Sequence, residues 1–271
     1  MFQEHEVINH KYKIMNFLAE GGTSHLYVVS GANNGKQAIL KVAKKPTALF
    51  NGQIDNEAKI LVAVNHERLP KLFDKFKVNR HYNAIIIEKK EAVSLFNVID
   101  KEKKEFNWQD ILNIAKQLAK IIEVFHKNNP SIVIRDIKPS NILISNNDDI
   151  HLIDFGIAAS IKEIGNVTAL GTIGYAAPEQ FENGKVDLRS DFFSLGAVLF
   201  YLASNGENIY TSNQAVLLKE RMPTAFAEII LTLTQTDPER RYKNIDELIC
   251  ALTRMKLNFK ERFQNILHSN K

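Results

Sequence analysis

The first third of the chain alternates apolar and polar residues, which is the two-residue period of strands that bury one face. Alternation over residues 11–29 is interrupted by a glycine-containing turn at residues 19–24, which predicts a strand, a tight turn and a second strand. Residues 38–42 predict a third strand, and residues 69–78 and 82–87 predict a hairpin. The pattern therefore predicts an antiparallel sheet in this part of the chain.

The remainder of the chain has the 3.6-residue apolar period of helices. One helix is predicted inside the strand-rich part, over residues 55–64, where Ala58, Leu61 and Val64 share a face. Asn107 is predicted to cap a long helix, because its side chain can accept a hydrogen bond from the first turn. Further helices are predicted over residues 190–203, 213–221, 224–234 and 245–255.

The change from strands to helices near residue 90 predicts two lobes, residues 11–89 and 90–255, with a ligand cleft between them. The predicted fold class is α+β, with one domain over residues 1–255. Residues 156–175 have little periodicity, which is typical of a functional loop. Residues 256–271 form a basic amphipathic segment that we expect to pack on the same domain, with docking, dimerisation or membrane-surface binding as alternatives.

With 45% hydrophobic residues among 271, the chain can bury a substantial core. Its net charge of +4 comes from 35 basic and 31 acidic residues, and this near balance argues against a nucleic-acid-binding protein. The single cysteine, Cys250, excludes an intramolecular disulfide and fits a reducing compartment. No apolar run reaches the ~20 residues that span a bilayer, and no signal-peptide pattern is visible. We therefore expect a cytoplasmic protein with no membrane span in this chain.

Residues 134–141 carry an acid, a cation and an amide between apolar segments. Asp136 can accept a proton, Lys138 can neutralise phosphate oxygens, and Asn141 offers a carbonyl oxygen to a hard cation. A second acid, Asp154, follows a predicted hairpin that would bring it near Asn141. Together these groups are the minimum set for moving a phosphoryl group.

Two features of the strand-rich part fit the same chemistry. Gly21 and Gly22 would let backbone N–H groups approach phosphate oxygens, although an ordinary glycine hairpin has the same pattern. Lys41 stands among apolar neighbours, so it is either an edge residue that reaches solvent or a buried cation with a partner. Glu57 is the candidate partner, and a solvent-exposed helix acid is the alternative reading of that residue.

Taken in order, these motifs resemble the eukaryotic-like (Hanks-type) protein serine/threonine kinases, in the bacterial style. The resemblance covers roughly residues 11–255, and although each motif is short, their order and spacing together are specific. The motifs are Ala19-x-Gly21-x-x-Ser24-x-Leu26, Lys41, Glu57, Arg135-Asp136-x-Lys138-x-x-Asn141, Asp154-Phe155-Gly156, Ala177-Pro178-Glu179, Asp191 and Asp237-Pro238-x-x-Arg241.

The resemblance implies a bilobal protein-kinase fold and an enzyme that transfers the γ-phosphoryl of ATP to Ser or Thr hydroxyls of a protein substrate. Asp136 would orient and deprotonate the acceptor hydroxyl, and Lys138 would stabilise charge on the transferring phosphoryl. Lys41, held by Glu57, would orient the α- and β-phosphates. These four residues are the predicted catalytic set.

The resemblance also implies a binding site for ATP and Mg²⁺, with Mn²⁺ as an alternative metal. Asn141 and Asp154 would ligate the metal, Glu88 and Lys90 would present backbone groups to adenine, and Ile87 would guard the inner pocket. The residues assigned to nucleotide or metal are Ala19, Gly21, Gly22, Ser24, Leu26, Ile39, Lys41, Ile87, Glu88, Lys90, Asn141 and Asp154.

Regulation is implied by Arg135, which lies beside the catalytic acid. In this family such an arginine commonly binds a phosphorylated residue of the activation loop, a strong bidentate pairing. Thr168 is the candidate phosphate acceptor, with an unmodified loop threonine as the alternative, and Thr172 would line the substrate end of the loop. If Thr168 is autophosphorylated, a dimer is possible during that reaction.

The chain departs from the family pattern at four positions. Ala19 and Ser24 replace two glycines of the phosphate loop, so we expect a stiffer loop. Ile134 replaces a histidine, which we interpret as a neutral exchange between packing residues. Ile39 replaces a small residue over the adenine ring, and we expect its bulk to weaken ATP binding.

Two other functions remain open. A pseudokinase, a scaffold that binds nucleotide without transferring phosphate, is disfavoured by the retained catalytic set but not by Ile39. A small-molecule kinase of the aminoglycoside or choline type would share the acid–asparagine–acid core. Such enzymes generally lack the Ala177-Pro178-Glu179 motif and the Gly171-Thr172 segment, both of which are present here.

Overall fold

The protein is described from a computed structural model, which covers residues 2–31, 35–163, 169–182, 185–210, 213–255 and 257. The chain forms two compact units. The first unit comprises Met1–Ala92 and Ile153–Ala158, and the second comprises Val93–Leu152 and Ala159–Lys271. The predicted α+β class is confirmed, because the larger sheet lies in the first unit and most helices lie in the second.

The first unit is built on an antiparallel sheet of six strands in the order β1-β2-β3-β4-β6-β5. Its inner face buries aliphatic residues of alternating strand positions, including Ile14, Val29, Leu40 and Ile86. This burial confirms the alternating pattern that predicted the strands. The strands are β1 Val7–Ile8, β2 Tyr12–Glu20, β3 Ser24–Gly31, β4 Gln37–Ala43, β5 Leu72–Val78 and β6 Tyr82–Glu88.

One helix, α1 (Ala48–Ala63), belongs to this unit. The prediction that it begins at residue 55 was wrong by two turns. Thr47 caps the helix by accepting a hydrogen bond from the Phe50 amide, and the first turn, although it contains Leu49 and Phe50, has no buried residue. The buried face begins only at Ile54, and so the pattern did not indicate the true start.

The second unit is mainly helical. The predicted long helix is confirmed, and Asn107 forms a capping box with Asp110, each side chain bonding the other residue's backbone amide. Helix α2 was not predicted, because six residues are too few to display a helical period. The helices are α2 Leu95–Asp100, α3 Trp108–His126, α4 Arg189–Ala203, α5 Gln214–Arg221, α6 Thr224–Leu233 and α7 Ile245–Arg254.

Helix α4 is the centre of the second unit. Every residue of this helix from Ser190 to Ala203 is buried. Gly196 allows close contact with α6, because an added Cβ would lie 2.7 Å from the Cβ of Leu233. The helix therefore provides a rigid platform for the segments that surround it.

Short strands frame residues 134–141. Strands β7 Ala92–Ser94, β9 Ile142–Ser145 and β10 Ile150–Leu152 form one sheet, in the order β10-β9-β7, and the predicted hairpin of β9 and β10 is confirmed. Strand β8 (Ile132–Val133) pairs with β11 (Ala159–Ser160). The loop between β8 and β9 thus has a paired strand at each end.

Candidate active site

Lys41 lies on β4, with Leu26 and Ile85 as its cross-strand neighbours. Its Nζ atom is 2.6 Å from Oε2 of Glu57 and 2.8 Å from Oδ1 of Asp154. Glu57 is fully buried on α1, and the Lys41 side chain is 6% exposed. The sheet and the helix therefore hold one ammonium between two carboxylates.

The charges in this cluster change its protonation behaviour. Burial alone would lower the pKa of the Lys41 ammonium, but Asp154 and Glu57 outweigh burial and raise that pKa above its ordinary value. Burial raises the pKa of the Glu57 carboxyl to about 7, although Lys41 opposes this shift. Asp154 adds to the increase, because two carboxylates share one cation.

The raised pKa of Glu57 predicts a pH dependence. Its ordinary pKa is 4.5, so between pH 4.5 and about 7 the folded protein holds a proton that the unfolded chain has released. The contribution of Glu57 to stability therefore falls as pH rises through this range, whereas its charged pair with Lys41 forms fully only above it. We expect nucleotide affinity to weaken by several-fold as pH falls from about 8 to about 6.

Titration of nucleotide binding against pH in the wild type and in Glu57→Gln tests this expectation. The variant keeps the shape of the side chain but has no titrating group. An inflection near pH 7 that is present in the wild type and absent in Glu57→Gln supports the assignment. The same inflection in both proteins would show that the nucleotide, not Glu57, is titrating.

The predicted phosphate loop is the turn between β2 and β3. The backbone amide of Gly21 donates to the Ser24 carbonyl at 2.8 Å, which closes the turn. An added Cβ on Gly21 would lie 3.3 Å from Oγ of Ser24, whereas at Gly22 it would meet no atom within 4 Å. Ala19 pairs with Leu26 at the base of the turn. The backbone at Gly22 is thus open to a ligand.

The predicted adenine-binding residues lie at the end of β6 and just beyond it. Lys90 Nζ is 3.0 Å from Oε2 of Glu88 and donates to the Glu67 carbonyl at 3.1 Å. Ile87 pairs with Ile39 of the neighbouring strand, and both are buried. Ion pairing therefore orders this segment, and Ile39 lies directly beside it.

Ile39→Ala is expected to bind ATP about three- to tenfold more tightly, if the bulk of Ile39 strains the bound adenine by ~1 kcal/mol. Ile39→Val, which costs less in stability, should fall between the two. Calorimetric titration of the three proteins measures the series. If affinity does not rise from Ile through Val to Ala, the steric explanation is wrong.

Three polar side chains surround Asp136, two from the loop between β8 and β9 and a third from Thr172. Lys138 Nζ lies 2.8 Å from Oδ2 of Asp136, and the Asn141 amide donates to the same oxygen at 2.9 Å. The Thr172 hydroxyl donates to Oδ1 of Asp136 at 2.9 Å and accepts from Lys138 at 3.0 Å. The structure thus brings together three residues of the predicted loop with Thr172, 31 positions beyond Asn141.

Asp191, in the first turn of α4, holds the start of this loop. It is fully buried and accepts hydrogen bonds from the backbone amides of Ile134 and Arg135 at 2.9–3.1 Å. Nε2 of His126 lies 2.8 Å from the same carboxylate. The loop is therefore anchored to the most buried helix of the unit.

The regulatory residues are only partly described. Arg135 is 3% exposed, and burial lowers the pKa of its guanidinium while Asp191 opposes that shift. Its carbonyl accepts from the Gln180 amide at 2.9 Å. Thr168 lies outside the described residues, as does the segment 256–271 apart from Leu257. The pairing of Arg135 with a phosphorylated Thr168 stays a prediction.

In the part of the chain that the structure describes, no group of three or more His, Cys, Asp or Glu side chains could hold a metal ion. Mg²⁺ needs no such group, because it takes one or two carboxylates together with phosphate oxygens and waters. Asn141 carries an amide oxygen and Asp154 a carboxylate, which are ligand types that Mg²⁺ accepts. The amide nitrogen of Asn141 faces Asp136, so its carbonyl oxygen is the end available to a hard cation.

Contacts of α1 were missed by sequence reasoning. Gln53 accepts from the Thr23 hydroxyl at 2.6 Å, and Asn56 donates to backbone carbonyls near Asp154. The contact of His126 with Asp191 was missed as well. Only the position of Asn56 beside Glu57 could have drawn attention to it, and adjacency alone does not indicate a contact.

Comparison with known proteins decides the family. The protein kinase domain family matches residues 12–269, nearly the whole chain. The chain belongs to the protein kinase family. Kinases of this family use ATP and a divalent metal and act on proteins, and the predicted protein-kinase fold is confirmed.

Similar curated proteins are bacterial. The chain is 29% identical to a probable serine/threonine-protein kinase of Clostridium acetobutylicum, over 93% of this chain and 41% of the relative. It is 28% identical to the serine/threonine-protein kinase PrkC of Bacillus subtilis (89% and 40%) and 25% identical to PknB of Mycobacterium tuberculosis (92% and 43%). The kinase chain therefore spans about two fifths of the length of these relatives.

No helix among the described residues is both long enough and apolar enough to cross a membrane.

Proposed function

We propose that this kinase transfers the γ-phosphoryl of ATP to Ser or Thr hydroxyls of a protein, with Mg²⁺ as the usual metal. The observation that carries the proposal is the arrangement around Asp136, whose carboxylate contacts a cation, a hydroxyl and an amide at 2.8–2.9 Å. A pseudokinase has no need of such a group. The serine/threonine names of the relatives support the same acceptor chemistry.

In this proposal Asp136 accepts the proton of the attacking hydroxyl. Thr172 already donates a hydroxyl hydrogen to Oδ1 of Asp136 at 2.9 Å, so the carboxylate can receive an O–H group from that direction. Lys138 stands next to the acid, where its ammonium can neutralise charge on the transferring group. The Asn141 side-chain amide donates to Oδ2 and to the backbone carbonyl of Asp136, and so it fixes the rotamer of Asp136.

The first unit supplies the nucleotide contacts. Lys41 would orient the α- and β-phosphates, and Glu57 keeps its ammonium in place at 2.6 Å. The open backbone at Gly22 can donate to phosphate oxygens without obstruction by a side chain. When bound by Asn141 and Asp154, the divalent metal would neutralise phosphate charge, and Mn²⁺ has the same preference for oxygen ligands.

Acceptor analysis tests the proposal. Wild-type protein is incubated with γ-labelled ATP and Mg²⁺, alone, with a generic basic protein, and with an aminoglycoside or choline. Label on Ser or Thr of either protein supports the proposal. Label on the small molecule would favour the second kinase class, and bound nucleotide with no transfer to any acceptor would favour the scaffold.

Three further expectations belong to the same proposal. Autophosphorylation at Thr168 would require two copies of the chain to meet, so a transient dimer is expected during that reaction. A cytoplasmic location would supply ATP and keep Cys250 reduced. The near balance of charge favours protein over nucleic acid as the substrate class.

A further inference from the structure

Asn56 makes an unusual set of contacts with the segment that carries Asp154. Its Nδ2 donates to the backbone carbonyl of Ala158 at 2.7 Å, of Gly156 at 3.1 Å and of Phe155 at 3.2 Å. An amide nitrogen has two hydrogens, so three acceptors at these distances require a shared hydrogen. One side chain therefore bonds three carbonyls of the segment 155–158 and holds that segment to helix α1.

The next residue of the helix, Glu57, is linked to the start of this segment through Lys41. The Phe155 carbonyl accepts from Asn56, and the Glu57 carboxylate pairs with the Lys41 ammonium, which also contacts Asp154. Two adjacent residues of α1 are thus linked to Asp154, Asn56 through the backbone that follows it and Glu57 through the shared Lys41 ammonium. The preceding residue, Asp154, has a φ of +69°, a conformation that non-glycine residues rarely adopt. Its backbone needs such support, because a left-handed conformation is disfavoured for residues with a Cβ.

Gln53 extends these contacts one turn earlier on the helix. Its Oε1 accepts from the hydroxyl of Thr23, in the phosphate loop, at 2.6 Å. Its Cβ also lies close to Gly156, because an added Cβ there would come within 3.3 Å of it. One stretch of α1, residues 53–57, therefore contains Glu57, the ion-pair partner of Lys41. The same stretch contacts the phosphate loop and the segment after Asp154.

We propose that Asn56 is a positioning residue for phosphoryl transfer. By fixing residues 155–158 to α1, Asn56 couples the position of Asp154 to that of Glu57. Both carboxylates then reach the Lys41 ammonium together. Loss of the Asn56 side-chain amide should release Asp154 from its position while helix α1 stays folded. The proposal rests on the proposed function, because its kinetic readout is phosphoryl transfer.

The decisive variant is Asn56→Asp, which keeps the shape of the side chain but replaces its donors by acceptors that repel the three carbonyls. We expect kcat to fall about tenfold or more, which corresponds to losing ~1.4 kcal/mol of positioning. KM for the protein acceptor should stay within about twofold, since Asn56 does not contact that substrate. Amide hydrogen exchange at residues 155–158 should become faster.

Asn51→Asp is the matched control. Asn51 lies on the same helix and also donates its side-chain amide to a backbone carbonyl, that of His81, at 2.8 Å. Its hydrogen bonds are with His81 and Asn83 rather than with the Asp154 segment, so its substitution should lower stability by a similar amount without changing kcat. Asn56→Ala, which removes the donors without adding charge, covers the case in which Asn56→Asp does not fold.

A fall in kcat and faster exchange confined to the Asn56 variants support the proposal. Equal effects in Asn51→Asp, or unchanged kcat and exchange in the Asn56 variants, would overturn it and leave Asn56 as a structural contact only. If the wild type transfers no phosphoryl group, the proposed function fails by itself. Exchange at residues 155–158 and nucleotide affinity then still decide whether Asn56 positions Asp154.

Discussion

Asp136→Asn is expected to lower kcat by about 10²- to 10⁴-fold, the range associated with loss of a general base. Asparagine can keep the side-chain shape and a hydrogen bond to Thr172 or Lys138, but it cannot accept the acceptor's proton. Asp136 also contributes charge that pairs with Lys138 at 2.8 Å, so the cation would shift toward other anions. Nucleotide affinity should change by less than about threefold, because the predicted phosphate contacts lie elsewhere.

Asp148→Asn is the control for this prediction. Asp148 lies in an exposed turn with a φ of +59°, a conformation that asparagine accepts readily, and the substitution removes the same charge. Steady-state kinetics of the three proteins against one basic protein give the comparison. If Asp136→Asn loses no more activity than Asp148→Asn, Asp136 is not the base.

Arg241→Met is expected to lower the free energy of unfolding by about 3–5 kcal/mol, the cost of leaving a buried charge without its partner. Nη1 and Nη2 of Arg241 lie 2.7 and 2.9 Å from the two carboxylate oxygens of Glu179. The guanidinium also donates to the carbonyls of Gln235, Thr236 and Arg189. Methionine can fill the volume, but it satisfies none of these acceptors.

Two further variants separate burial from charge. Lys127→Met removes an exposed lysine that bridges Glu123 and Asp246, and it should cost far less stability than Arg241→Met, because exposed ion pairs are weak. The double variant Glu179→Met with Arg241→Met should recover part of the loss, since it leaves neither charge unpaired. Chemical denaturation measures all of them. An Arg241→Met cost no larger than that of Lys127→Met would contradict the account.

Much of the fold follows from periodicity, because most elements are long enough to bury one face. The strands of the first unit alternate, and α4 is apolar on all sides as a central helix should be. Two boundaries failed for local reasons. The start of α1 depends on a single cap at Thr47 before a first turn that has no buried residue, and α2 is shorter than two helical periods. Neither feature leaves a helical period that is long enough to detect.

The candidate site divides in the same way. Spacing and family resemblance singled out Lys41, Glu57 and Asp136, and the structure places the first two in one ion pair. Their catalytic roles stay predictions. Asn56 could not be predicted, because its partners are backbone carbonyls about 100 positions away that have no sequence signature. Contacts to the backbone depend on the fold rather than on residue type.

One measurement tests the central claim most directly. Enzyme loaded with labelled ATP and Mg²⁺ is mixed with a protein acceptor, and transfer is followed through a single turnover in the wild type and in Asp136→Asn. The account predicts label on Ser or Thr from the wild type, and bound nucleotide with almost no transfer from the variant. Equal transfer by both proteins would contradict it.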